Sequence, residues 1–163
     1  MKPKILISRR WPEAFEARLG ERYEVTLNET DAPLTLDQFR AAMMDYDALC
    51  PTVSDKVPAE VLAAPDARVR IIANYGAGYE HIDLEAAKAA GIAVTNTPDV
   101  LTDATAELAL LLMMTAARRS GEGERELRAG QWAGWRPTHL LGQSLAGRTL
   151  GLVGYGRIAR ATA

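Results

Sequence analysis

The sequence of 163 residues is 48% hydrophobic and 25% charged, an ordinary globular composition that excludes a disordered chain. A formal net charge of -2 and a pI near 5.7 leave no basic footprint for nucleic acid or an anionic membrane surface, so neither is expected as a partner. A single cysteine, Cys50, excludes an internal disulfide and fits a reducing cytoplasm.

Short β-rich runs alternate with helical patterns from the first residues, the signature of an α/β chain whose parallel sheet is covered by helices. The pattern predicts strands over Lys4 to Ile7, Tyr23 to Leu27, Ala48 to Cys50, Arg70 to Ala73, Ala93 to Thr95 and Thr149 to Val153. Helices are expected over Pro12 to Leu19, Leu36 to Met44, Ala59 to Ala63, Leu84 to Ala90 and Thr102 to Arg119. The apolar run Ile5-Leu6-Ile7 is too short for a signal peptide. Gly91 follows the fourth helix and suits a left-handed C-cap. Thr102 or Asp103 can cap the long helix through a side-chain oxygen. The greasy stretch Leu108 to Ala117 is roughly half the ~20 residues a membrane span needs, so this helix is expected to be buried against two layers. Beyond it, Ser120 to Arg128 is charged and helical. Ala129 to Gly147 carries Trp132, Trp135 and Pro137 without a period, and irregular connections of that length are usually functional or interface-forming. The domain boundary is expected near Asn96 to Pro98, dividing residues 1–97 from 98–163.

Three segments carry chemistry. Thr149-Leu150-Gly151-Leu152-Val153-Gly154-Tyr155-Gly156-Arg157-Ile158-Ala159 reads as an apolar strand, a glycine turn and a helix start. Gly154 allows the tight turn, Gly156 lets backbone approach phosphate oxygens, and Ala159 lets helix pack on strand, which is how a dinucleotide's pyrophosphate is received. The acidic residue that would hold the cofactor's ribose lies about 20 residues beyond such a turn, past Ala163. The sequence therefore reads as the front part of a larger dehydrogenase, and the choice between NAD and NADP is not legible in it.

The second segment, Asn74-Tyr75-Gly76-Ala77-Gly78-Tyr79-Glu80-His81-Ile82-Asp83, follows a predicted strand. Ligands of open parallel sheets bind beyond the strands' carboxyl ends, and two glycines around an alanine permit amides to converge on an anion. A flexible strand-to-helix loop accounts for the same residues equally well. The third, Thr95-Asn96-Thr97-Pro98-Asp99-Val100-Leu101-Thr102-Asp103-Ala104-Thr105-Ala106-Glu107-Leu108, is physically a proline-set loop and a helix start.

In this order and spacing the three segments resemble the D-isomer-specific 2-hydroxyacid dehydrogenases, most strongly the glyoxylate reductase/hydroxypyruvate reductase branch. The likeness is specific over Ile71 to Ala163 and looser over Lys4 to Arg70. It implies a flavodoxin-like parallel-sheet substrate domain in residues 1–97. The start of a Rossmann cofactor domain would follow in 98–163, with the long helix, a dimerisation arm and the glycine turn. It implies an NAD(P)-dependent oxidoreductase that reduces a small 2-oxo acid, glyoxylate or hydroxypyruvate, to the D-2-hydroxy acid. The alternatives are a dinucleotide-sensing, co-repressor-like regulator on the same fold, or another family substrate such as phosphoglycerate or formate.

By the same resemblance the amides of Ala77 and Gly78 bind the substrate carboxylate. Thr105 lies beside the nicotinamide end, and Gly154, Gly156, Arg157 and Ile158 receive the pyrophosphate. Trp135 reaches from the partner of a homodimer to wall the substrate pocket. The family's catalytic arginine, its acidic partner and its general-acid histidine fall beyond Ala163, so no catalytic residue is assigned and the isolated chain is expected to be inactive. Glu80-His81 departs from the family's usual Asp or Asn followed by Asn or His.

The remaining reactive side chains have plainer readings. His81 titrates near neutrality but is expected to be a loop residue hydrogen-bonded to backbone. His139 has no assigned role. Cys50 is expected to be a small buried hydrophobe, Arg118 and Arg119 favour a helix C-terminus, and no spacing suggests a metal site.

Overall fold

A computed structural model describes all residues, Met1–Ala163. They form two compact units, Met1–Asp99 and Val100–Ala163. The first unit runs β1 (Lys4–Ile7), α1 (Glu13–Arg22), β2 (Glu24–Leu27), α2 (Leu36–Asp45), β3 (Ala48–Cys50), α3 (Ala59–Leu62), β4 (Ile71–Ala73), α4 (Leu84–Ala89) and β5 (Ala93–Thr95). The five strands are parallel in the order β2-β1-β3-β4-β5, the flavodoxin-like arrangement.

A parallel strand is covered on both faces, which is why β1 is apolar at Ile5, Leu6 and Ile7 alike. The period of two then divides it. Leu6 joins Phe39, Met43, Leu49, Val61, Leu62 and Ile72 on the face covered by α2, α3 and α4, while Ile5 and Ile7 join Ala48 and Cys50 on the face that α1 covers. Local signals end the helices where expected. Gly91 has φ +68 and follows α4, its N–H donates to Lys88 O at 3.1 Å, and the N–H of Ile92 donates to Ala87 O at 2.9 Å. That pair of bonds is a Schellman motif and turns the chain into β5. At α2, Thr35 and Gln38 exchange side-chain and backbone bonds in a capping box. Helix α1 runs three residues past its expected end at Leu19, through Gly20, because nothing stops it before the C-cap at Tyr23.

The second unit holds α5 (Thr102–Ala117), α6 (Ser120–Arg128) and α7 (Arg157–Thr162). Arg119, at φ +53, makes the sharp turn between the first two. Residues 129–156 contain no helix or strand, and Gln143 N donates to Ala117 O at 2.8 Å, bringing this segment back to the end of α5.

Three expectations are corrected in this unit. Residues 149–153 do not form a strand. A strand needs a neighbour for its backbone groups, and this unit contains no other strand with which to share a ladder. The N-cap of α5 is Leu101, with no side-chain cap, because the helix starts early enough to put Thr102 and Asp103 inside its first turn. Asp103 there still complements the helix dipole. Finally, α5 is not buried on all sides. Only Ala106 is buried, and Leu108, Leu111, Leu112 and Met114 are each more than half exposed.

Candidate functional site

The loop after β4 begins at Asn74, a polar side chain only 3% exposed. A buried amide must be hydrogen-bonded, and this one is. Its Nδ2 donates to Gly78 O at 2.8 Å and Gly76 O at 3.2 Å, and its Oδ1 faces His81 Nε2 at 3.0 Å. From the end of β5, Asn96 Nδ2 donates to Ala77 O at 2.8 Å and Thr97 N to Gly76 O at 3.0 Å. Three consecutive carbonyls, those of Gly76, Ala77 and Gly78, are therefore tied to the protein.

In a trans peptide the N–H points opposite to its carbonyl, and no peptide here is cis. Tying those three carbonyls turns the N–H groups of Ala77, Gly78 and Tyr79 the other way, and none of the three donates within the chain. These amides lie beyond the carboxyl end of the sheet, where ligands of open parallel sheets bind, and they are free to donate to one.

Neighbouring loops brace this one. Tyr75 N donates to Pro51 O at 2.8 Å, and the Tyr75 ring stacks on Trp11 with centroids 4.8 Å apart. Where the loops after β1 and β3 meet, Asp55 is buried and its Oδ2 accepts from the Ser8 hydroxyl and from Thr52 N at 2.8 Å. Arg9 joins the same edge through Asp31 at 3.0 Å and Ser54 at 3.0 Å. Burial lowers the His81 pKa against the opposing pull of Asp55 and Glu80. Its partner is the Asn74 side chain, where a backbone partner was expected. Cys50 is buried, and that burial pushes its thiol up to about 11, the behaviour of an inert hydrophobe.

In the second unit, Gly154 has φ +87, a conformation that favours glycine, and Gly156 is the N-cap of α7. A Cβ built on Gly156 meets no atom within 4 Å, so the backbone face there is open. Arg157 and Ile158 form the first turn of α7, whose early amides have no intrahelical acceptor by geometry. This open, positively polarised turn fits a dinucleotide pyrophosphate. Thr105 is exposed in the first turns of α5, the helix against which α7 packs. Trp135 is 83% exposed in the irregular segment.

The structure thus gathers Ala77 with Gly78 in one loop, and Gly154, Gly156, Arg157 and Ile158 in one turn. Thr105 and Trp135 stand on other elements of the second unit. Sequence reasoning missed Asn74 and Asn96, which do the tying. Their signal was position, since each is the residue immediately after one of two neighbouring parallel strands, β4 and β5. No helix is long and apolar enough to cross a membrane.

Comparison with known proteins places the chain in one family. A family model, D-isomer specific 2-hydroxyacid dehydrogenase, catalytic domain, matches residues 5–162. The chain is 43% identical to a glyoxylate reductase of Thermococcus onnurineus (strain NA1), with 100% of the chain and 50% of that protein covered. It is 43% identical to a glycerate dehydrogenase of Hyphomicrobium methylovorum, covering 99% of the chain and 50% of that protein. The chain therefore spans about half the length of the curated relatives it matches. Among solved structures, an NAD-binding D-isomer specific 2-hydroxyacid dehydrogenase from Polaromonas sp. JS6 66 superposes with a TM-score of 0.91 at 41% identity, over 99% of this chain and 51% of that one. An NADPH-dependent glyoxylate/hydroxypyruvate reductase from Sinorhizobium meliloti, solved with NADP and malonate, gives 0.79 at 34% identity, over 99% and 49%. With nearly its whole length inside the family model, the chain belongs to the D-isomer specific 2-hydroxyacid dehydrogenases.

Proposed function

We propose that the protein carrying this chain reduces a small 2-oxo acid, glyoxylate or hydroxypyruvate, to the corresponding D-2-hydroxy acid with NADH or NADPH. The observation that carries this reading is that the amides of Ala77 and Gly78, beside tied carbonyls, donate to nothing within a chain of this family. The relatives' names support the substrate class: glycerate is the reduced form of hydroxypyruvate, so a glycerate dehydrogenase and a hydroxypyruvate reductase work on one pair of acids.

On this reading residues 1–97 form part of the substrate domain and 98–163 begin the cofactor domain. The Ala77 and Gly78 amides hold the carboxylate by hydrogen bonds to a charged acceptor, which are stronger than neutral ones. With that end fixed, the carbonyl carbon is presented in one orientation. Gly154, Gly156, Arg157 and Ile158 hold the pyrophosphate and Thr105 lies beside the nicotinamide end. A reduced nicotinamide, when bound, supplies the hydride. The proton donor and the cation that polarises the carbonyl are assigned outside residues 1–163. The protein is read as a cytoplasmic homodimer in which Trp135 walls the partner's substrate pocket.

Steady-state kinetics of the full-length protein test this. With NADH and NADPH in turn, kcat/KM for glyoxylate or hydroxypyruvate should exceed that for pyruvate and 3-phosphohydroxypyruvate. Residues 1–163 alone should show no turnover. A full-length protein that binds dinucleotide but reduces none of these acids overturns the reading.

A further inference from the structure

Asn74 is the only side chain that donates to two carbonyls of the anion loop, and its usefulness depends on which way its amide is turned. Flipped by 180°, it would set Oδ1 against the carbonyl oxygens of Gly76 and Gly78 and release both. The two carbonyls disfavour the flipped amide, and His81 Nε2 faces the remaining Oδ1 at 3.0 Å. Both hydrogens of Nδ2 are used on Gly78 O and Gly76 O, so Oδ1 can only accept, and the group 3.0 Å from it must donate. His81 Nε2 therefore carries a proton in the neutral ring as well as in the imidazolium. His81 is held in turn by its own backbone, since its carbonyl accepts from Val57 N at 2.9 Å.

We propose that His81, in its Nε2–H tautomer, is a positioning residue that fixes the orientation of the Asn74 amide, and so aims the N–H groups of Ala77, Gly78 and Tyr79 at the substrate carboxylate. This rests on the reading of the loop as the carboxylate site and deepens it in two ways. A third amide, that of Tyr79, joins the two already assigned. An imidazole that invites an acid-base role is instead placed one hydrogen bond behind the loop, touching no reacting atom.

Backbone amide and imidazole ¹⁵N NMR of the full-length protein, titrated with oxalate as the carboxylate probe, provides the test. In the wild type the Ala77, Gly78 and Tyr79 amide resonances should shift together. If they stay still while the protein is folded, the carboxylate reading falls and the inference falls with it. If they shift, His81→Ala and Asn74→Asp should weaken oxalate binding about tenfold, the equivalent of one charge-assisted hydrogen bond. His81→Gln, which keeps a donor, should recover most of that loss, and dinucleotide affinity should be unchanged throughout. Wild-type amide shifts combined with unchanged oxalate affinity in His81→Ala overturn the positioning role alone. Where a variant fails to fold, the wild-type imidazole decides: an Nδ1–H tautomer overturns the proposal, and an Nε2–H tautomer with a scalar coupling or exchange-protected proton toward Asn74 supports it.

Discussion

Val53 occupies the space that a side chain at residue 76 would need: a Cβ built on Gly76 would lie 2.5 Å from Val53 Cγ1. Asn74 Nδ2 at 3.3 Å and Gly78 O at 3.4 Å lie on the other sides, so room for the Cβ would have to come from Val53, itself an exposed side chain. A β-branched valine has little rotamer freedom with which to retreat. Gly78 is different, because the nearest atom to its Cβ, at 2.6 Å, is Oε2 of Glu80, the far end of an exposed and flexible side chain. Gly76→Ala should therefore destabilise by about 1–3 kcal/mol, as overpacking does. Gly78→Ala should stay within about 1 kcal/mol. Urea unfolding of both variants checks the contrast, and equal losses would mean that Val53 yields.

The glycine turn of the second unit should separate folding from binding. Gly154, at φ +87, is held in a conformation that L side chains rarely adopt, so Gly154→Ala is expected to cost about 1–3 kcal/mol of stability. Gly156 has an ordinary φ of -78 and open space before it. Gly156→Val should leave the melting temperature of the full-length protein nearly unchanged while weakening NADH or NADPH binding at least about tenfold, by blocking backbone approach. Fluorescence titration of the dinucleotide measures that loss. Unchanged affinity in the folded variant would make the turn purely structural.

How far these features could be read in advance depends on the range of the forces behind them. The strands of the first unit were legible because most are short apolar runs fixed by their own residues and bounded by turns, as at Ile5-Leu6-Ile7 and Ala48-Leu49-Cys50, while β2 alternates polar and apolar residues over Glu24-Val25-Thr26-Leu27. Gly91 was legible for the same local reason. Thr149 to Val153 shows the opposite case: the residues suit a strand, but pairing is a property of two segments, and the second is not in this unit. The apolar character of α5 likewise announced burial without saying by what. At the site, the glycines around Ala77 marked a loop able to bind an anion, yet the residues that aim it, Asn74, Asn96 and His81, act across 2 to 19 positions of sequence and only the fold brings them together.

Stability in acid should depend on Glu16, a buried carboxylate that accepts from Arg10 Nη2 at 2.8 Å and from Trp11 N at 2.7 Å. The Arg10 guanidinium holds its pKa below the ordinary 4.5, with the Trp11 amide adding to the effect against desolvation. A carboxyl whose folded pKa is depressed contributes stability that is fully present above its unfolded pKa and is lost as pH falls through the folded one. The stability gap between wild type and Glu16→Gln should therefore be widest above about pH 5 and should narrow as pH falls below it. Urea unfolding at a series of pH values measures the gap. A gap that is constant from neutrality into acid would show that the Arg10 contact does not couple to protonation.

Trp135 offers the sharpest test of assembly. A large aromatic at 83% exposure gains little from its own chain, and Trp132 in the same segment is 55% exposed, so the pair is poorly explained as local packing. Exposed indoles that anchor interfaces are a familiar source of binding energy, because one side chain buries a large area at little entropic cost. If Trp135 walls the partner's substrate pocket, Trp135→Ala in the full-length protein should leave monomer stability within about 0.5 kcal/mol. Dinucleotide affinity should be unchanged, because the indole meets only the substrate end. The ratio of kcat/KM between glyoxylate and hydroxypyruvate should shift about tenfold, since removing the wall enlarges a pocket that distinguishes acids by one hydroxymethyl group. Mixed dimers locate the effect. One subunit carries Trp135→Ala with an intact reaction site, and the other keeps Trp135 but is separately inactivated. In such a dimer the working site is completed by the other subunit's indole, so it should recover wild-type selectivity. Mutant selectivity in the mixed dimer, or a protein that is monomeric at assay concentration, would place Trp135 in its own subunit and refute the arm.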